Sequence, residues 1–148
     1  MSHLWGEHTW EDVRDAAAQG AVVVVPFGSV EQHGPMLPVD TDVRIAQNLA
    51  EGGARRALEL FDLRTLVLPT MPFGLALHHM SFAGTISLQP ETYVAVIADV
   101  LRCVVQHGFR RIAVITGHGG NEPALKLGIE KLVHEFAGRQ TVRIAYFR

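Results

Sequence analysis

The chain has 148 residues, of which 48% are hydrophobic and 19% charged, the composition of a folded domain with its own core rather than of a disordered segment. Thirteen Lys and Arg against fifteen Asp and Glu leave a net charge of −2, which argues against a protein whose main business is nucleic acid. The lone cysteine, Cys103, rules out an internal disulfide and fits a reducing, cytoplasmic setting, and the longest apolar run, Ala21 to Phe27, is too short to span a bilayer.

Glu7, Glu11 and Asp12 precede any apolar stretch, so nothing at the N-terminus reads as a signal peptide. Thr9 followed by Asp12 reads as a capping box with Asp in place of Glu, opening a helix with Trp10, Val13 and Ala17 on one face and Gly20 after its end. Ala21 to Pro26 is a β-branched run that suits a strand buried on both faces. A loop to about Asp40 leads to a second helix from Thr41 or Asp42 to near Phe61, with Ile45, Leu49, Ala50 and Ala54 on one face. Thr65 to Leu68 is a second strand, and Met71 to Leu88 is a long loop with short extended pieces. Pro90 opens a third helix whose stripe is Tyr93, Val94, Ile97, Val100, Leu101 and Val104, stopped by Gly108; Cys103 is placed in its core. Ile112 to Thr116 is the third strand. Asn121 is positioned to cap a fourth helix that buries Leu125, Ile129, Leu132 and Phe136, and Val142 to Phe147 is the fourth strand. This α-β-α-β-α-β-α-β order predicts an α/β fold: a mostly parallel sheet covered by helices on both faces, with the functional site beyond the carboxyl ends of the strands.

The chemistry-bearing residues cluster at those ends. Gly28-Ser29-Val30-Glu31-Gln32-His33-Gly34-Pro35 follows the first strand, His78-His79 and Phe82-Ala83-Gly84-Thr85 follow the second, and Gly117-His118-Gly119-Gly120-Asn121 follows the third. Glu31 and His33 are two apart, so on extended backbone both side chains point to one side. With Asp42 and His118 they would give two carboxylates and two imidazoles, a donor set for a divalent transition metal that activates water for hydrolysis of a C–N or C–O bond. Taken singly, Glu31 and Asp42 read equally well as surface residues or helix caps, and His118 as a turn histidine. His78 reads as a solvated loop residue, and His3, His8, His107 and His134 as exposed. Gly119-Gly120-Asn121 reads as a tight turn and cap, or as backbone N–H groups offered to an anion.

Three ordered blocks resemble the creatininase (creatinine amidohydrolase) family: Gly28 through Asp42, His79 through Leu88, and His107-Gly108-Phe109 through Asn121. The resemblance implies a three-layer α/β/α fold, a dinuclear site of zinc, manganese or iron, a homo-oligomer that is often a hexamer, and hydrolysis of amide-type C–N bonds in small molecules. By position, Glu31, His33, Asp42 and His118 match the family's metal ligands, with Asp42 the bridging carboxylate. His79, Gly119, Gly120 and Asn121 fall where substrate would bind. The resemblance also implies that the family's acid–base residue lies in a later block absent from residues 1–148, so this single creatininase-like domain lacks the C-terminal part of the family fold. Creatininase has a glutamate at the position of Gly120, which counts against creatinine as substrate, and Glu122 stands two positions off. The family's second block usually has a serine at the position of Ala76, a glutamate at that of His78 and a proline at that of Ala83. The function expected is a metal-dependent hydrolase of a non-peptide amide or formamide. The alternatives are a mycofactocin-type peptidase or formamidopyrimidine-type deformylase, or a truncated, non-catalytic metal-binding relative.

Overall fold

The computed structural model describes residues 2–138 and 141–148. The expected alternation is present as α1 (Trp10–Ala18), β1 (Val22–Phe27), α2 (Thr41–Phe61), β2 (Thr65–Val67), α3 (Pro90–Gln106), β3 (Arg111–Thr116), α4 (Glu122–Phe136) and β4 (Arg143–Phe147). Short 3-10 turns add Trp5–Glu7, Leu77–His79 and Gly119–Asn121. All strand pairs are parallel and the sheet order is β2-β1-β3-β4. Val24 pairs with Val67 on one side and Ala113 on the other. Parallel neighbours need crossovers, so the helices lie on the sheet faces. Among the described residues no helix is long and apolar enough to cross a membrane.

The two faces divide the side chains by strand period. Val23, Val25 and Phe27 of β1 and Ile112 and Val114 of β3 enter a core with Tyr93, Ile97 and Leu101 of α3 and Leu125 and Leu132 of α4. Ala16 of α1 joins this core. On the other face, Val24 and Val67 pack against Ala50 and Ala54 of α2. The result is the three-layer α/β/α arrangement.

The buried stripe of α2 is Asp42, Ala46, Ala50 and Ala54, so of the face read from hydrophobicity Ala50 and Ala54 are buried while Ile45 and Leu49 are 42% and 52% exposed. Alanines spaced by four let the helix lie close against the sheet, so the bulkier residues one position earlier are turned outward. The same stripe carries Asp42 inward at the first turn of the helix. Trp10 is also exposed rather than packed, with the Arg14 guanidinium over its ring. Cys103 is exposed, because the buried positions of α3 are its neighbours Leu101, Val104 and Val105. The Thr9–Asp12 capping box is present in both directions. The stretch from Met71 to Leu88 is tied down by bridges of Gly74 to Ser87 and of Val30 to Ile86, which dock it on the loop after β1.

Candidate metal centre

Parallel strands put the ends of β1, β2 and β3 at one edge of the sheet, and the glycine-flanked polar segments meet there. Gly117 sets the approach of β3 to α2. A Cβ at that position would lie 2.2 Å from the Asp42 carbonyl oxygen and 2.9 Å from the Ala46 nitrogen. Only glycine lets the end of β3 abut the first turn of α2, which brings His118 beside Asp42.

Glu31, Asp42 and His118 are buried and His33 is half-buried. Each imidazole is oriented by a backbone carbonyl. The Nδ1–H of His33 donates to the Glu31 carbonyl at 3.2 Å, leaving Nε2 with its lone pair 3.0 Å from Asp42 Oδ1. The Nε2–H of His118 donates to the Leu75 carbonyl at 2.9 Å, leaving Nδ1 2.9 Å from Asp42 Oδ2. Asp42 Oδ2 has no hydrogen-bond partner despite this close approach. The two oxygens of one buried carboxylate therefore face the lone-pair nitrogens of two imidazoles. Acceptor against acceptor is repulsive, so a proton or a cation belongs between them. Two donors bound to one ion at about 2.0–2.2 Å lie about 3 Å apart, as these do. The carbonyl-anchored ring nitrogens are the outer contacts that fix the tautomer of a ligating histidine. The residues present thus fit a divalent metal, with Asp42 placed to serve two positions.

Glu31 completes the donor set. Its Oε2 accepts from the buried Ser29 hydroxyl at 3.2 Å and lies 3.2 Å from His118 Nε2. Burial pushes the His118 pKa down, but a protonated ring would donate to Asp42 as well as to the Leu75 carbonyl, beside the charges of Glu31 and Asp42, and together these outweigh burial and raise the pKa above the ordinary histidine value. Two groups each offer three ligand atoms within 4.8 Å of one another: Glu31, His33 and Asp42, and Glu31, His78 and His118.

The positions expected around substrate divide into different roles. His79 lies at the site: its Nδ1 accepts from the Gln32 amide at 3.1 Å, so its Nε2 carries the proton and stands 3.7 Å from Glu31 Oε1. Gln32 is held in that orientation because its Oε1 accepts from the Gly34 N–H at 2.9 Å. Gly119 is exposed at the rim. Gly120 packs on His118: a Cβ there would fall 2.3 Å from His118 Nε2 and 2.7 Å from the Leu75 carbonyl oxygen. Asn121 makes no side-chain cap to α4. It is fully buried, with Nδ2 donating to the Gly28 carbonyl and Oδ1 accepting from the Leu75 N–H, each at 2.9 Å. Its amide joins the loops after β1, β2 and β3, which leaves it no face for substrate. Glu122 points to Arg148 and Lys126 instead of the centre, at 3.0 and 3.4 Å. Two residues escaped the sequence reading. Gln32 sits between Glu31 and His33 with no periodic signal of its own, and His78, read as solvated, lies in the second donor group. A cavity of about 540 Å³ lined by Trp5, Trp10, Val13 and His107 contains none of these residues, so donor geometry and not cavity size marks the site.

The family model described as creatinine amidohydrolase matches residues 6–148. A mycofactocin precursor peptide peptidase from Mycobacterium tuberculosis is 38% identical over 107 residues, covering 70% of this chain and 42% of the relative. A creatinine amidohydrolase from Pseudomonas putida is 29% identical over 147 residues, covering 94% and 54%. The solved Mn form of creatininase superposes with a TM-score of 0.88 at 27% identity, over 99% of this chain and 58% of that one. The chain thus spans about half the length of the curated relatives it matches. With the match extending through all four strands and every strand-end loop, the chain belongs to the creatininase family.

Proposed function

We propose that this chain carries the metal-holding part of a hydrolase that cleaves a non-peptide amide or formamide C–N bond in a small molecule. Glu31, His33, Asp42 and His118 would hold one or two divalent ions of zinc, manganese or iron. The observation that carries this reading is Asp42, whose two oxygens face two carbonyl-oriented imidazoles at 3.0 and 2.9 Å. A bound ion supplies Lewis acidity, lowering the pKa of water at the site and polarising a carbonyl. The chain's own residues do the rest. Glu31 and Asp42 place two negative charges where the ion is retained. Ser29 and the Glu31 and Leu75 carbonyls hold the ligands in place. His79, a neutral ring with its proton on Nε2 and its Nδ1 held by Gln32, is placed beside Glu31 to donate a hydrogen bond to substrate. Glycine at 120 leaves room for the His118 ring and the Leu75 carbonyl that orients it.

A second reading, a peptidase or deformylase of a cofactor pathway, is favoured by Gly120. The Cβ collision with His118 and Leu75 leaves no room there for the glutamate of creatininase, and the mycofactocin peptidase relative is 38% identical. Family resemblance supports a homo-oligomer, often a hexamer within the family, and the lone cysteine supports a cytoplasmic location. Exposed apolar residues on α2, such as Leu58 and Phe61, support the oligomer.

The test is bound metal per chain by elemental analysis of protein purified without chelator, for wild type and His118→Ala. It is followed by assay against creatinine, a formamide and a peptide. Near-stoichiometric metal lost in the variant is the expected result. Folded wild type with no metal above background overturns the reading. Metal without turnover of any of the three leaves the non-catalytic relative.

A further inference from the structure

We propose that His78 is a third imidazole ligand of the metal centre, acting with Glu31 and His118 and biasing the site toward zinc-like ions. The inference rests on the metal reading above and deepens it. His78 lies in the 3-10 turn Leu77–His79 that follows β2, and it is exposed. That turn is not a free loop. The Leu75 N–H donates to Asn121 Oδ1 at 2.9 Å, the Leu75 carbonyl accepts from His118 Nε2 at 2.9 Å, and the Ala76 N–H donates to Ser87 Oγ at 2.9 Å. The residue three positions before His78 is thus bonded to His118 itself, and Ala76 between them is fully buried.

Held this way, the His78 ring lies parallel to the His118 ring, 5° between planes and 6.0 Å between centroids. It offers a ligand atom within 4.8 Å of ligand atoms on Glu31 and His118. The rings of His33, His79 and His118 all have polar protein partners on their nitrogens. Among the described residues none hydrogen-bonds to those of His78. An imidazole carried by a pinned backbone, parallel to a ligand and with its nitrogens unengaged, is a donor awaiting an ion.

The second consequence concerns which ion. Glu31, His33, Asp42 and His118 offer two carboxylates and two imidazoles, a set that suits hard and borderline ions alike. A third imidazole moves the balance to borderline ions, for which nitrogen donors and the Irving–Williams order favour zinc over manganese.

The experiment measures zinc and manganese affinity of the full chain by competition with a chromophoric chelator, for wild type, His78→Ala and His78→Gln. In parallel, proton NMR of the cobalt-substituted proteins counts the exchangeable, hyperfine-shifted imidazole N–H signals. Both variants are expected to lose at least about tenfold in zinc affinity, to lose less for manganese, and to show one N–H signal fewer. The metal-free proteins should melt together, because the side chain is exposed. Unchanged zinc affinity in metal-binding wild type and variants overturns this proposal alone. So does weakened affinity with the full count of N–H signals, which would assign His78 an indirect role. A folded wild type that takes up neither ion overturns both this proposal and the metal centre.

Discussion

Asn121→Ala tests the claim that one buried amide assembles the site. The side chain is fully buried and makes two hydrogen bonds of 2.9 Å, to the Gly28 carbonyl and from the Leu75 N–H, with a longer one of 3.4 Å to Thr116 Oγ1. Truncation removes both short partners at once. Each orphaned backbone group costs about 1–3 kcal/mol, so the expected loss is about 2–6 kcal/mol. Water entering the vacated space would bring the loss toward the lower end. Against a domain stability of about 5–15 kcal/mol, a loss at the lower end leaves the variant folded and measurable, whereas one at the upper end would unfold a domain at the bottom of that range. In urea, with an m-value of about 2 kcal/mol/M, the midpoint should fall by about 1–3 M with m unchanged. Asn121→Asp keeps the acceptor for Leu75 but places a second acceptor against the Gly28 carbonyl. It should be at least as damaging at neutral pH and recover as acid converts it to a donor. A loss below about 1 kcal/mol for Asn121→Ala would refute the reasoning, because it would mean that Gly28 and Leu75 find other partners without moving.

Three further outcomes are expected. Gly120→Ala drives a Cβ into His118 Nε2 and the Leu75 carbonyl, so it should cost about 1–3 kcal/mol by overpacking and weaken metal binding at least about tenfold, read by urea denaturation and chelator competition; unchanged affinity would show that His118 is not held as described. Tyr93→Phe removes a hydroxyl that is buried without a partner, and whose pKa burial, with Tyr146 nearby, drives far above the ordinary value. It should be neutral or stabilising by about 1 kcal/mol, a rise of about 3 °C in Tm, and a clear destabilisation would show a missed partner. Asp12 is held below its ordinary pKa first by the Thr9 hydroxyl and then by the Thr9 N–H. Its contribution is complete above the unfolded-state value and disappears as pH falls through the folded-state value. Thr9→Ala should raise the Asp12 pKa in a carboxyl-carbon NMR titration and narrow that acid window, and an unmoved titration would argue against the capping box.

Much of this protein was written locally. The Thr9–Asp12 box, Pro90 opening α3, Gly108 closing it and the β-branched run of β1 are signals whose cause lies within a few residues of chain. The sequence therefore placed the four helices and four strands to within a residue or two. Alternation then forced a parallel sheet, and a parallel sheet puts the ends of β1, β2 and β3 at one edge. That is why Glu31, His33, Asp42 and His118 could be named before any distance was known.

Tertiary packing decided what local pattern leaves open. Hydrophobicity assigned Ile45 and Leu49 to the buried side of α2, yet the sheet takes the Asp42–Ala46–Ala50–Ala54 stripe, because close approach of helix to sheet rewards small side chains. Asn121 looked like a helix cap, since Asn before a helix usually is one. Its amide instead bonds to residues 93 and 46 positions away, and no local pattern records such partners. The tautomers of His33 and His118 follow from the Glu31 and Leu75 carbonyls, which the fold alone brings to their rings. Sequence spacing supplied the donor atoms, whereas their distances and the partners that orient them came from long-range contacts between loops that only the assembled sheet holds together.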